Sequence, residues 1–192
     1  MKIGTYSYEE YIHLVKSFHG SLAPGLVIGG FIVDLALKNL PEGEFFNAIC
    51  ETPICLPDSV QLLTPCTVGN GWLMVFNFGR FAVTLYEKTS GNGIRVYLDM
   101  LKLEKWPEVN GWFLKLKTKE EHDSQLLIDQ IKEAGHGMLS MQRVCVEPER
   151  LRRRKMGPVA ACPACGEAYP IKDGDECRSC QGESPYKEMK TI

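Results

Sequence analysis

The sequence predicts an α+β fold, an antiparallel sheet with packed helices, followed by a small four-cysteine metal module. Two observations carry that expectation. Helical patterns come first, a run of short strand patterns follows, and a further helix and strand close the series. That segregation argues for α+β rather than a wound parallel sheet. Near the C-terminal end the chain reads Cys162-Pro163-Ala164-Cys165, eleven residues, then Cys177-Arg178-Ser179-Cys180. Two Cys-x-x-Cys pairs at this spacing supply four thiolates to one tetrahedral Zn²⁺, iron being the lesser alternative and a pair of disulfides the bland one.

Each element has a local reason. Ser7-Tyr8-Glu9-Glu10 is a capping box that opens a helix with Tyr8, Tyr11, Ile12, Val15 and Phe18 on one face, ending near Gly20. Pro24-Gly25 starts a second helix that is apolar nearly all round, from Leu26 to Leu37, as a helix buried on most sides must be. Gly29-Gly30 inside it predicts a close packing approach. Phe45 to Cys50 reads as a buried strand, and Asp58 as the cap of a short helix over Ser59 to Leu63. Leu73 to Phe78 and Phe81 to Glu87 read as a hairpin through Gly79-Arg80. A turn at Ser90-Gly91-Asn92-Gly93 leads to a strand over Ile94 to Leu98. Thr118-Lys119-Glu120-Glu121 is a second capping box, opening a helix through Leu126, Leu127, Ile131 and Ala134 that Gly135 closes. Met141 to Val146 is the last strand of the main body. The domain reading is therefore 1–147 for the core, 148–158 for a basic linker and 159–192 for the Cys₄ finger, which is too short to fold without its metal.

The chain has 192 residues, 44% of them hydrophobic and 24% charged, the balance of a soluble globular protein. The longest apolar run, Leu26 to Val33, is far short of a membrane span, and the first residues carry no apolar leader pattern. Eight cysteines, four in a zinc pattern, fit a cytoplasmic protein with reduced thiols. Charge is unevenly spread. Residues 1–142 hold twelve Lys/Arg against sixteen Asp/Glu, a net −4; residues 143–160 hold six against two, a net +4; residues 161–192 hold four against six, a net −2. The basic charge lies in Arg150-Leu151-Arg152-Arg153-Arg154-Lys155, not on the finger. The finger has few aromatics, Tyr169 and Tyr186, so stacking platforms for bases are sparse and nucleic acid is an unlikely partner.

Outside the finger the chemistry-bearing residues are scattered. His19 ends the first helix. Glu51 to Asp58 links a buried strand to a helix, where functional side chains concentrate, and includes Cys55. Cys66 sits in a glycine-rich loop whose plain reading is a turn. Cys50 and Cys145 read as small hydrophobes in apolar strands, His122 as lying on a polar helix face, and His136 as part of a flexible turn. There is no GxGxxG after a strand, no GxxxxGK[ST], and no Ser/His/Asp set at recognisable spacing.

Three segments together resemble the FmdE family of molybdenum formylmethanofuran dehydrogenase. Its pattern runs His-Gly-His-x-Cys-Pro-Gly, then Glu-[Thr/Ser]-x-x-Cys-x-x-Asp, then Thr-Gly-Cys-Thr-x-Gly. Here these read His19-Gly20-Ser21-Leu22-Ala23-Pro24-Gly25, Glu51-Thr52-Pro53-Ile54-Cys55-Leu56-Pro57-Asp58 and Thr64-Pro65-Cys66-Thr67-Val68-Gly69, in the family's order. The resemblance implies an α+β core, a homodimer, an enzyme complex as partner, a C-terminal zinc finger of treble-clef type, and a metal or active site in the core. Ser21 and Ala23 stand where the family has its second histidine and first cysteine, and neither is a transition-metal ligand. His19 and Cys55 remain, with Cys66 as a third ligand candidate. In this family molybdopterin chemistry belongs to other polypeptides of the enzyme, and no signature for it is legible here. The leading functional expectation is a cytoplasmic zinc-binding accessory protein linked to one-carbon or molybdenum enzyme systems, with His19 and Cys55 meeting in one core site. The alternatives are a nucleic-acid-binding or regulatory protein using the basic linker and finger, and an enzyme with Cys55 as nucleophile and His19 as base.

Overall fold

A computed structural model describes residues 1–40, 45–118, 120–147, 149 and 156–186. The chain divides into two compact units, Met1–Leu151 and Arg152–Ile192. Most of the basic run that the sequence reads as a linker lies outside the described residues.

The first unit opens with a two-residue hairpin, β1 (Lys2–Ile3) and β2 (Tyr6–Ser7), and then α1 (Tyr8–His19). Ser7 and Glu10 form the reciprocal capping box, and Gly20 ends the helix in the left-handed region at φ 82°. Next comes α2 (Pro24–Asn39), buried from Gly25 through Asp34 and again at Ala36. It packs on one face of the sheet and against α1, α3 and α6, which is why its sequence shows no polar stripe. Each fully buried aliphatic side chain it contributes is worth roughly 1.5–3 kcal/mol. Gly29 and Gly30 do mark a close approach, to side chains rather than backbone. A Cβ at Gly29 would overlap Ser59 Oγ, and one at Gly30 would overlap the Tyr11 ring.

The sheet has the order β4-β3-β5-β6-β7, from β3 (Phe46–Cys50), β4 (Leu73–Val75), β5 (Ala82–Glu87), β6 (Asn92–Leu98) and β7 (Leu139–Cys145). All pairs are antiparallel except β3 with β4, which is parallel. The expected Gly79-Arg80 hairpin is thus corrected: β4 and β5 flank β3 on opposite sides. The chain passes round the end of β3, where the Glu51 carbonyl accepts the N–H groups of Phe78 and Arg80. That crossover depends on long-range pairing, so the two apolar runs alone could not reveal it. One face of the sheet, with Ala48, Cys50, Val83, Leu85, Ile94, Val96 and Leu98, meets the helices. The alternate residues, with Ile49, Thr84 and Arg95 in one register row, form the other face.

α3 (Leu56–Leu63) begins at Cys55, three residues earlier than an Asp58 cap implies. α4 (Met100–Leu103) and α5 (Pro107–Phe113) are short helices that the sequence reading missed. α6 (Ser124–Ala134) is capped by Asp123, whose carboxylate accepts from Gln125 and Leu126; the Thr118–Glu121 box closes a turn ahead of it instead. Among the described residues, no helix is long and apolar enough to cross a membrane.

Candidate metal centre and core ligand site

The second unit is built on a short hairpin, β8 (Val159–Ala161) and β9 (Ala168–Pro170), with Cys162–Cys165 in the turn between the strands. Of the second pair, Cys177 precedes a helical turn over Ser179–Glu183 and Cys180 lies within it. All four sulfur atoms lie within 4.8 Å of one another, and Cys165 Sγ is 3.8 Å from Cys177 Sγ. Four thiolates at 2.3 Å from a tetrahedral zinc are about 3.8 Å apart, so the cluster has the dimensions that Zn²⁺ requires. All eight cysteines of the chain are free thiols, which removes the disulfide alternative. Backbone N–H groups of Cys177 and Cys165 pull the Cys162 thiol down to about 6, while hydrogen bonding to Cys177 and Cys165 pushes Cys180 up. Thiols this close cannot all ionise without a cation between them. Tyr169, 7% exposed, anchors the module by donating to the Gly174 carbonyl at 3.1 Å.

In the first unit, His19 stands at the last position of α1 and its Nδ1 is 2.9 Å from Asp58 Oδ2 in the first turn of α3. Cys55 precedes that turn. Its φ of 60° and ψ of −50° make a γ-turn closed by the Leu56 N–H on the Ile54 carbonyl at 2.7 Å, a strained conformation for a residue with a side chain. Asp58 therefore links the two predicted residues: it holds His19 directly, and its charge acts on the Cys55 thiol. Burial, chiefly, and then Asp58 push that thiol above its ordinary value, while the Lys115 ammonium pulls the other way. Gly25 at the start of α2 faces the thiol, and a Cβ there would come within 2.8 Å of Cys55 Sγ. Phe81 lies beside Gly25 and meets Phe113 edge-on at 5.7 Å, which brings the end of α5 to the same place.

Cys66 does not join them. It follows the opposite end of α3, buried, with its thiol 3.5 Å from the Phe46 carbonyl. Among the described residues, the finger cysteines are the one group of three or more His, Cys, Asp or Glu near enough to share a metal. Asp58 as the partner of His19 was legible only as a motif member. Gly25 was legible only as the last residue of the His19 motif, and Lys115 carried no sequence signal for this place.

The other predicted environments need three corrections. His122 precedes α6 and is buried, its Nδ1 2.8 Å from Glu108 Oε1, because Glu108 is itself buried and gathers Lys117 and His122 around it. Those two partners hold the Glu108 carboxyl below its ordinary value. His136 lies in a 3₁₀ turn, Nε2 2.7 Å from Asp34, a buried carboxylate that also accepts from the Gly4 N–H at 2.8 Å and Lys38 Nζ at 2.6 Å. Cys145 is exposed because β7 is an edge strand.

Residues 18–146 match the FmdE family, described as "FmdE, Molybdenum formylmethanofuran dehydrogenase operon". The chain belongs to the FmdE family. Residues 153–187 match the FmdE treble clef zinc finger, the position of the Cys₄ cluster. The matched segment includes His19, Cys55 and Asp58. A crystal structure of a tungsten formylmethanofuran dehydrogenase FmdE-like protein from Syntrophus aciditrophicus is 53% identical, with a TM-score of 0.88 over 97% of this chain and 100% of that one. A "Probable S-adenosyl-L-methionine-binding protein" of Archaeoglobus fulgidus is 30% identical over 188 residues. This FmdE chain spans about half the length of that curated relative, 51%, while 87% of it is matched.

Proposed function

We propose that this FmdE-family chain is a zinc-stabilised accessory protein of one-carbon metabolism, acting beside a molybdenum or tungsten enzyme, with a reduced ligand site at His19 and Cys55. The observation that carries the core site is the Asp58–His19 pair. A carboxylate on one ring nitrogen fixes the imidazole and leaves Nε2 to bind, the arrangement of a metal-ligating histidine. Cys55 supplies a thiol on a rigid turn beside it. Two protein ligands leave positions open for water or a small molecule, which fits exchangeable rather than permanent binding. The described finger residues, acidic on balance, favour this reading over nucleic-acid binding. Family resemblance adds the homodimer, and the reduced cysteines favour the cytoplasm.

Metal analysis tests the reading. A Cys177→Ser variant should lose the finger zinc, and on titration with Zn²⁺ or Ni²⁺ should retain a weaker site that Cys55→Ser and His19→Ala each abolish. A Cys177→Ser protein that takes up no second metal would count against the core site.

A further inference from the structure

The sheet face turned away from α2 holds a cavity of about 370 Å³ that the metal reading does not use. Phe76 and Phe78 form one side, their rings 5.7 Å apart and 11° from parallel. Ile49 and Thr84, paired in register across β3 and β5, also line it, with Val144 of β7 and Glu51. The volume falls within the range of small-molecule sites, roughly 300–1,000 Å³.

Two polar side chains in this apolar lining are more than nine-tenths buried: Glu51 and Thr84, each 5% exposed. Thr84 makes no side-chain hydrogen bond among the described residues, so its hydroxyl is left to donate and accept within the cavity. That hydroxyl opens to the cavity, where a ligand atom can take the place of water. Glu51 is spoken for by two guanidinium groups. Arg95 donates Nε to Oε1 and Nη2 to Oε2, the latter at 2.8 Å, and Arg80 Nε is 2.7 Å from Oε2. One carboxylate against two cations leaves one positive charge. Arg80 carries it at the rim, its side chain 61% exposed and its guanidinium 5.2 Å from the Phe78 ring centre.

We propose that this cavity binds a small planar aromatic molecule bearing an anionic group. The phenylalanine pair and the aliphatic side chains take the ring, because flat π-systems bury area on such walls at little entropic cost. The Thr84 hydroxyl holds a heteroatom or substituent of the ring. The exposed guanidinium of Arg80 takes the anion, whose charge matches the surplus there. The anion is thus the specificity element and the ring the source of most of the affinity. A second copy of the chain laid over this face is the competing occupant.

The full-length, zinc-loaded protein tests this with two dyes, 8-anilino-1-naphthalenesulfonate and its sulfonate-free relative N-phenyl-1-naphthylamine. One saturable site is expected for each, with the sulfonate dye about threefold tighter, as a rim charge of a fraction of a kcal/mol gives. Arg80→Gln should erase that preference without weakening the neutral dye. Phe78→Ala should weaken both several-fold, and Thr84→Val should weaken them with the circular dichroism unchanged. Arg80 and Phe78 are exposed, so their variants keep the fold. Absence of a saturable site for either dye overturns the proposal, as does a preference that survives Arg80→Gln. A dimer by light scattering that excludes both dyes, and that Phe78→Glu converts to a monomer, would assign the face to a second copy and overturn it as well.

Discussion

Glu51 shows how a single residue ties sequence, topology and stability together. Its carbonyl pins the crossover from β4 to β5, and its carboxylate holds Arg95 and Arg80. Burial raises its pKa, but the Arg95 and Arg80 contacts outweigh burial and hold it below the ordinary 4.5. A depressed carboxylate stabilises the fold above its unfolded pKa and loses that contribution as pH falls through the lower folded value. Denaturant unfolding should therefore show stability falling below about pH 4.5, and Glu51→Gln should flatten that part of the profile while lowering stability at about pH 7. A profile unchanged by Glu51→Gln would show that the pair contributes no net linkage. Gly29 makes a packing prediction of the same scale. Alanine there would overlap Ser59 Oγ, so Gly29→Ala should cost about 1–3 kcal/mol in urea unfolding, despite alanine's better helix propensity.

Among the elements, the meeting of α1 with α3 is the one that positions His19 against Asp58. The Asp58–His19 pair joins them at the surface, with both side chains about a third exposed, so its value lies in orientation more than in stability. Asp58→Asn should leave the melting temperature within a few degrees yet weaken Zn²⁺ or Ni²⁺ at His19 by about 10–100-fold, the usual loss when the partner of a ligating histidine is removed. Equal affinity in the two proteins, by competition with a chelating dye, would detach Asp58 from the site. In the finger the dependence runs the other way: metal makes the element. Chelation or Cys177→Ser should expose residues 156–186 to protease while the first unit stays resistant, because structural zinc supplies on the order of 10 kcal/mol of folding free energy. Mass spectrometry of the fragments reads the result directly.

For the whole molecule, the family implies a homodimer, and light scattering should give about 43 kDa, twice the 21.6 kDa chain. A monomer at micromolar concentration would remove that inference. The parts legible in sequence were those governed by local chemistry. Ser7 and Glu10 announce α1, the unbroken apolar run announces α2 as central, and the Cys-x-x-Cys pairs announce the finger at its proper place. His19 and Cys55 were legible as family motifs, but the contact of His19 with Asp58 was not. Apart from the short helices α4 and α5 and the start of α6, the errors fell where partners come from far along the chain. Apolar runs at 73–78 and 81–87 look like a hairpin, yet β3 lies between their strands. Asp58 looks like a helix cap, yet it serves His19, 39 residues away. His122 looks exposed, yet Glu108 buries it. Sequence by itself determined the starts of α1 and α2, the metal module and the burial of α2, because capping, ligand spacing and hydrophobic periodicity act within a few residues. Only tertiary structure decided strand order, the Asp58–His19 pair and the cavity on the open face, because hydrogen bonds and packing between distant segments have no local pattern to announce them.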